Sequence, residues 1–149
     1  MTTRQPKLAL YAVLEKPGGI GIGEAMRRAD AALEGHRAQA GAAMREALDA
    51  LETLAHQRVL DPGFIHERAS FVLDIAGLFA PPLCRAAHSL CELVTRMQAA
   101  GRWDWPSVDV HVAAMRLLIT KSCDKDPAVQ TVLSGLGAVV GRHPDPSPD

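Results

Sequence analysis

The sequence predicts an all-α fold, an antiparallel up-and-down helical bundle with a long N-terminal helix, and three observations carry that reading. Every long stretch between residues 22 and 141 repeats its apolar residues at three and four, the period of a helix. The breaks between those stretches hold Asp-Pro, Pro or Gly, the residues that start and stop helices. After residue 20 nothing in the pattern requires a strand. At 149 residues the chain has the size of one ordinary domain, able to bury a core without disulfides or a structural metal. Its boundaries fall at an N-terminal lead-in over 1–21, a helical domain over 22–141 and a polar, Pro-rich tail over 142–149 that is expected to be disordered.

Residues 7–15, "KLALYAVLE", suit a strand or a short helix, since periodicity cannot separate the two over so short a run. "KPGGIGIG" then breaks the segment. A Gly-rich loop between an apolar run and a helix invites a dinucleotide reading, but the glycines fall at 19, 21 and 23 and the third glycine of G-x-G-x-x-G is missing. No second strand follows. The segment reads as a lead-in.

From Ile22 to about Arg58 the chain is rich in Ala, Leu, Glu and Arg, and Met26, Ala29, Leu33, Ala40, Met44, Ala47, Leu51 and Leu54 recur at helical spacing. Unbroken, this amphipathic helix would run about 55 Å. Gly35 and Gly41 are its weak points. Because it is about twice as long as each later helix, its overhanging apolar stripe needs a second surface, and a homodimer through residues 22–58 is the expectation.

Asp61-Pro62 stops that helix and starts the next, over 62–79, with Phe64, Ile65, Val72, Ile75 and Phe79 inward. A third helix runs from Pro82 to about Ala100 and buries Leu83, Ala87, Leu90, Leu93, Val94 and Met97 before Gly101 ends it. Asp104 and Pro106 mark a fourth, from about Trp105 to Ser122, with Val108, Val112, Met115, Leu118 and Ile119 inward and Trp103 and Trp105 wedged at the joint. Asp126-Pro127 opens a last, Gly-interrupted helix.

Composition excludes several functions. Sixteen Lys+Arg against seventeen Asp+Glu give a net charge of −1, with no general pull toward nucleic acid or anionic lipid. No apolar run approaches the ~20 residues of a membrane span and no secretory leader opens the chain. Three cysteines without a CxxC pair suit a reducing cytosol, and Cys84 and Cys91 read as two small core hydrophobes on one helix face. Six histidines form no HExxH, and neither a nucleophile elbow nor a P-loop is present, so no metal, no cofactor and no enzymatic activity are expected. A soluble cytoplasmic protein fits these features.

One stretch remains, "RASFVLDIAGLFAPPLCRAAHSLC" from Arg68 to Cys91. On its first helix Ile65, Ala69, Val72, Ile75, Ala76 and Phe79 make the inner stripe, which leaves His66, Ser70, Asp74 and Gly77 on the outer face. "FAPPL" and "AHSLC" resemble the second half of the histidine phosphotransfer domain of bacterial phosphorelays, in which a His, a Lys three residues later and a Gly precede a turn and a second helix. The likeness covers residues 62–122 in layout and about twenty in motif. Counting back from Leu83 sets Ser70 at the phospho-accepting position, Leu73 at the Lys and Asp74 at the Gly.

Transfer through histidine needs an exposed imidazole, a cation and room for oxygen. Ser70 brings no imidazole, Leu73 no cation, and Asp74 repels phosphate. The resemblance therefore implies a non-catalytic, phosphotransfer-like signalling module that binds a response-regulator receiver domain or a histidine kinase through His66, Ser70, Leu73, Asp74 and Gly77. The rival expectations are an active phosphotransfer protein using His66 one turn earlier, and a dimeric scaffold unrelated to phosphorelays.

Overall fold

The computed structural model describes residues 21–146, and within them five helices follow one another with no strand: α1 Ile22–Gln57, α2 Pro62–Phe79, α3 Pro81–Ala100, α4 Trp105–Leu118 and α5 Pro127–Gly141. The all-α bundle with a long first helix is what the periodicity predicts. The expected reading of residues 7–15 and most of the 1–21 lead-in lie outside the described residues, as do residues 147–149.

The chain divides into two compact units at residues 38 and 39. In the first, described from residue 21, the side chains are all exposed, and ion pairs within one helix turn join Glu24 to Arg28 and, more loosely, Glu34 to Arg37. The second holds the core. Helix α1 is continuous through Gly35 and Gly41, so neither glycine breaks it.

Each helix boundary follows from local chemistry. Arg58 closes α1 in the left-handed conformation (φ 54°), and the next amide, Val59 N–H, reaches back to the Leu54 carbonyl at 3.0 Å. Asp61 then caps α2, its carboxylate accepting from Phe64 N–H at 3.0 Å, with Pro62 supplying the first-turn φ. Helix α2 ends at Ala80, whose N–H donates to the Ala76 carbonyl at 2.7 Å and whose own carbonyl accepts from Cys84 N–H. That one residue is the whole connection to α3, which starts at Pro81 rather than Pro82 because both prolines fit the first turn.

Gly101 (φ 65°) ends α3, with Arg102 N–H bonded to the Met97 carbonyl. Trp103 and Trp105 meet edge to face at 5.5 Å in the following joint. Helix α4 stops at Leu118, four residues short of the expected Ser122, because its inner stripe has no apolar residue beyond Ile119 to bury. Asp126 caps α5 through Ala128 N–H at 2.9 Å.

Helix α3 is the hub, packing on α2, α4 and α5. It buries Leu83, Ala87, Leu90, Leu93, Val94 and Met97 as its spacing predicts, together with Pro82 and Ala86. In α2 the buried stripe is Ile65, Ala69, Val72 and Ala76, while Phe64, Ile75 and Phe79 stay half-buried at its borders. Small alanines on that stripe let α2 approach α3 closely. Helix α1 contributes Met44, Ala47, Leu48, Leu51 and Ala55 to the same core, and Arg116 of α4 binds its outer edge, reaching Glu52 at 2.8 and 2.9 Å and also Asp49.

The start of the tail departs from the disordered reading. Arg96 Nη1 donates to the His143 carbonyl at 3.0 Å, and His143 Nε2 lies 3.2 Å from Ser107 Oγ, so the chain just after α5 is held against α3 and α4.

Candidate functional site

Helix α2 presents the face to which the sequence points, and its geometry sorts the five residues into two groups. Asp74 and Gly77 are exposed, as is His66. Ser70 and Leu73 are not on the outer face: both are half-buried along the flank turned toward α3. The Ser70 hydroxyl sits 3.6 Å from Cys91 Sγ and 3.4 Å from His66 Nδ1, while the Cys84 thiol donates to the Leu73 carbonyl at 3.5 Å. The physical reason is the width of the seam, since Ala69 and Ala76 draw α2 so close to α3 that its next row of side chains is covered too.

The centre of the exposed face lies one row further round, where Glu67, Phe71, Asp74 and Leu78 share a side of the helix. Phe71 is 42% and Leu78 83% exposed, two large apolar side chains two turns apart with Asp74 between them. Sequence reasoning missed both. The available signal was their angular position, off the stripe formed by residues 65, 69, 72 and 76, where an apolar residue has no core to enter.

Leu73 also leads into a cleft of about 400 Å³ lined by Cys84, Arg85, His88, Ser89 and Glu92 of α3 and by Leu133, Leu136 and Gly137 of α5. His88 of α3 is exposed at this cleft. Cys84 and Cys91 are half-buried, and burial, the largest influence on each, pushes both thiols up; the Asp74 carboxylate adds to the effect. Neither is an activated nucleophile.

The floor beneath Ser89 holds, among the described residues, the one fully buried histidine. His111 Nδ1 lies 2.8 Å from the Ser107 carbonyl and must donate to it, so in the neutral ring Nε2 is bare and accepts from the Ser89 hydroxyl at 2.9 Å. Burial holds the imidazole below its ordinary pKa of 6.5. Both nitrogens are satisfied, and the ring pins α3 to α4. Below it Ser107 donates to Asp104, and His143 joins the pair.

A second, open cleft of about 820 Å³ lies between the end of α1 and α4, and its charges are mutually engaged. Arg58 meets Asp109 at 2.8 Å and covers the Trp105 ring, while Glu52 binds Arg116. Among the described residues no group of three His, Cys, Asp or Glu side chains is placed to hold a metal ion, and no helix is long and apolar enough to cross a membrane. Comparison with protein families, with curated proteins and with solved structures gave no match to this chain.

Proposed function

We propose that the chain is a non-catalytic, phosphotransfer-like signalling module that binds a receiver domain or a histidine kinase through the outer face of α2. The observation that carries it is the pair Phe71 and Leu78, exposed around Asp74 on the helix that leads into the Ala80-Pro81-Pro82 corner. Burying two such side chains in a partner's groove removes apolar area from water. His66 and Gly77 border the contact, with Ser70 and Leu73 forming its half-buried flank. The partner class comes from the resemblance of "FAPPL" and "AHSLC" to phosphotransfer domains, and the loss of chemistry from Ser70, Leu73 and Asp74 at the reactive positions.

Purified protein is offered separately to phosphorylated receiver domains and to autophosphorylating histidine kinases. Binding without any acid-labile, base-stable label on the chain is the expected result. The second reading rests on His66, which is exposed and has Nδ1 3.4 Å from the Ser70 hydroxyl, leaving Nε2 for a phosphoryl group. A robust label that disappears in His66→Ala would establish that reading. If no receiver or kinase binds, the scaffold reading, a homodimer through residues 22–58, stands alone; that dimer is equally compatible with the signalling reading.

A further inference from the structure

The outer side of α2 carries two parallel ridges of different character. Glu67 and Asp74 form one, Phe71 and Leu78 the other, and all four side chains are exposed. In each ridge the two residues are seven apart, so their side chains stand about 10 Å from each other along the axis and point within about 20° of one direction.

The acidic ridge has no counter-charge inside the fold. Elsewhere exposed carboxylates meet arginines, as Glu24 meets Arg28, Asp109 meets Arg58 and Glu92 meets Arg96. Glu67 and Asp74 make no hydrogen bond and no ion pair with any described residue. The residues three and four positions from them are Gly63, Phe64, Ser70, Phe71, Gly77 and Leu78, none a cation, and neither carboxylate lies in the first turn, where the helix dipole would favour it. Helix α2 gains nothing from either charge. A second copy seated on this face would bring four carboxylates into one two-fold contact, with no Lys or Arg among residues 63, 67, 71, 74 and 78 to offset them.

We propose that the outer face of α2 receives an exposed helix of its partner that carries two Lys or Arg side chains two turns apart beside large apolar residues, the cations meeting Glu67 and Asp74 while the apolar residues cover Phe71 and Leu78. This rests on the reading of α2 as the contact face and adds the charge and the spacing of what that face takes. The two ridges divide the work. Phe71 and Leu78 supply the apolar area, and the carboxylates steer the approach and fix the register, since a slip along the axis takes both cations off their partners at once.

Fluorescence anisotropy of the full chain with three labelled helical peptides tests it. The peptides share one face of leucines at heptad spacing and carry Lys, Gln or Glu in the adjoining row. Wild type is expected to bind the Lys peptide about tenfold more tightly than the Gln peptide and the Glu peptide least, with the differences shrinking as salt is added. Glu67→Lys and Asp74→Lys should each weaken the Lys peptide about tenfold, and the double variant should prefer the Glu peptide. Phe71→Ser and Leu78→Ser should weaken all three peptides alike. If the serine variants lose binding while the charge variants keep the wild-type order, α2 is the contact face and the cationic partner is wrong. A Lys peptide that fails to bind, or binds every variant as it binds wild type, overturns the proposal, and serine variants without effect remove the α2 reading with it. All four side chains are exposed, and unchanged helicity by circular dichroism confirms that the variants fold.

Discussion

The Ser89 hydroxyl and His111 Nε2 lie 2.9 Å apart across the interface of α3 and α4, and the direction of that bond is set by the other ring nitrogen. Nδ1 has only a carbonyl to face, so it keeps its proton, while burial, not that bond, favours the neutral ring. Truncation to His111→Ala should cost about 2–4 kcal/mol, from the cavity together with an unsatisfied Ser89, and Ser89→Ala about 1 kcal/mol. Urea unfolding at neutral pH reads both.

The same ring gives a pH dependence with a definite sign. A histidine held below 6.5 in the fold takes up its proton more readily when unfolded, so the stability it confers is complete above pH 6.5 and drains away as the pH falls toward the folded value. His111→Gln should remove that slope relative to wild type. Glu52 behaves differently, since its hydrogen bonds from Arg116 hold the carboxyl below the usual 4.5 and its contribution persists to more acid solution. Denaturation midpoints for wild type and His111→Gln that fall in parallel below pH 6.5 would refute the assignment to His111.

Phe71→Glu and Leu78→Glu should leave the midpoint within about 0.5 kcal/mol of wild type, as for exposed positions outside the core. Each should weaken binding of a receiver or kinase partner at least about tenfold if the α2 face is the contact. Isothermal titration with the isolated partner checks this. Ser70→Arg is the poorer probe, because its side chain would enter the seam beside Cys91 and confound binding with folding.

Two glycines should respond to alanine with opposite signs. At Gly77 a methyl group would meet Cys84 Sγ at 3.8 Å, an ordinary contact, and helix propensity then favours the variant by about 0.5–1 kcal/mol. At Gly101 nothing lies within 4 Å, yet φ of 65° makes any side chain cost about 1 kcal/mol. Thermal melts of the two variants should move in opposite directions.

Much of the fold is legible in the sequence because Asp61-Pro62, Asp104 before Trp105-Pro106, and Asp126-Pro127 write helix starts directly, and Gly101 writes a stop. The end of α4 was harder. Helix propensity carries through Thr120 to Ser122, and only the absence of anything to bury ends the helix at Leu118. His111 was hidden for a related reason: it falls on the inner stripe with Val108, Val112 and Met115, and no local signal says that Ser89, on another helix, will meet it. On α2 the outer and inner faces were separable from spacing, but the depth to which α3 covers Ser70 and Leu73 depends on how closely Ala69 and Ala76 let two helices approach, a tertiary quantity.

The corner at Ala80 bears on amide exchange. A joint between helices normally leaves several N–H groups to water, and exchange there is fast. Here Pro81 and Pro82 carry no amide hydrogen, and those of Ala80 and Cys84 are bonded on either side. This one-residue corner therefore has little to exchange, and α2 and α3 should take up deuterium as one cooperative unit. The exchange boundary should fall at the longer connection from Thr120 to Lys125.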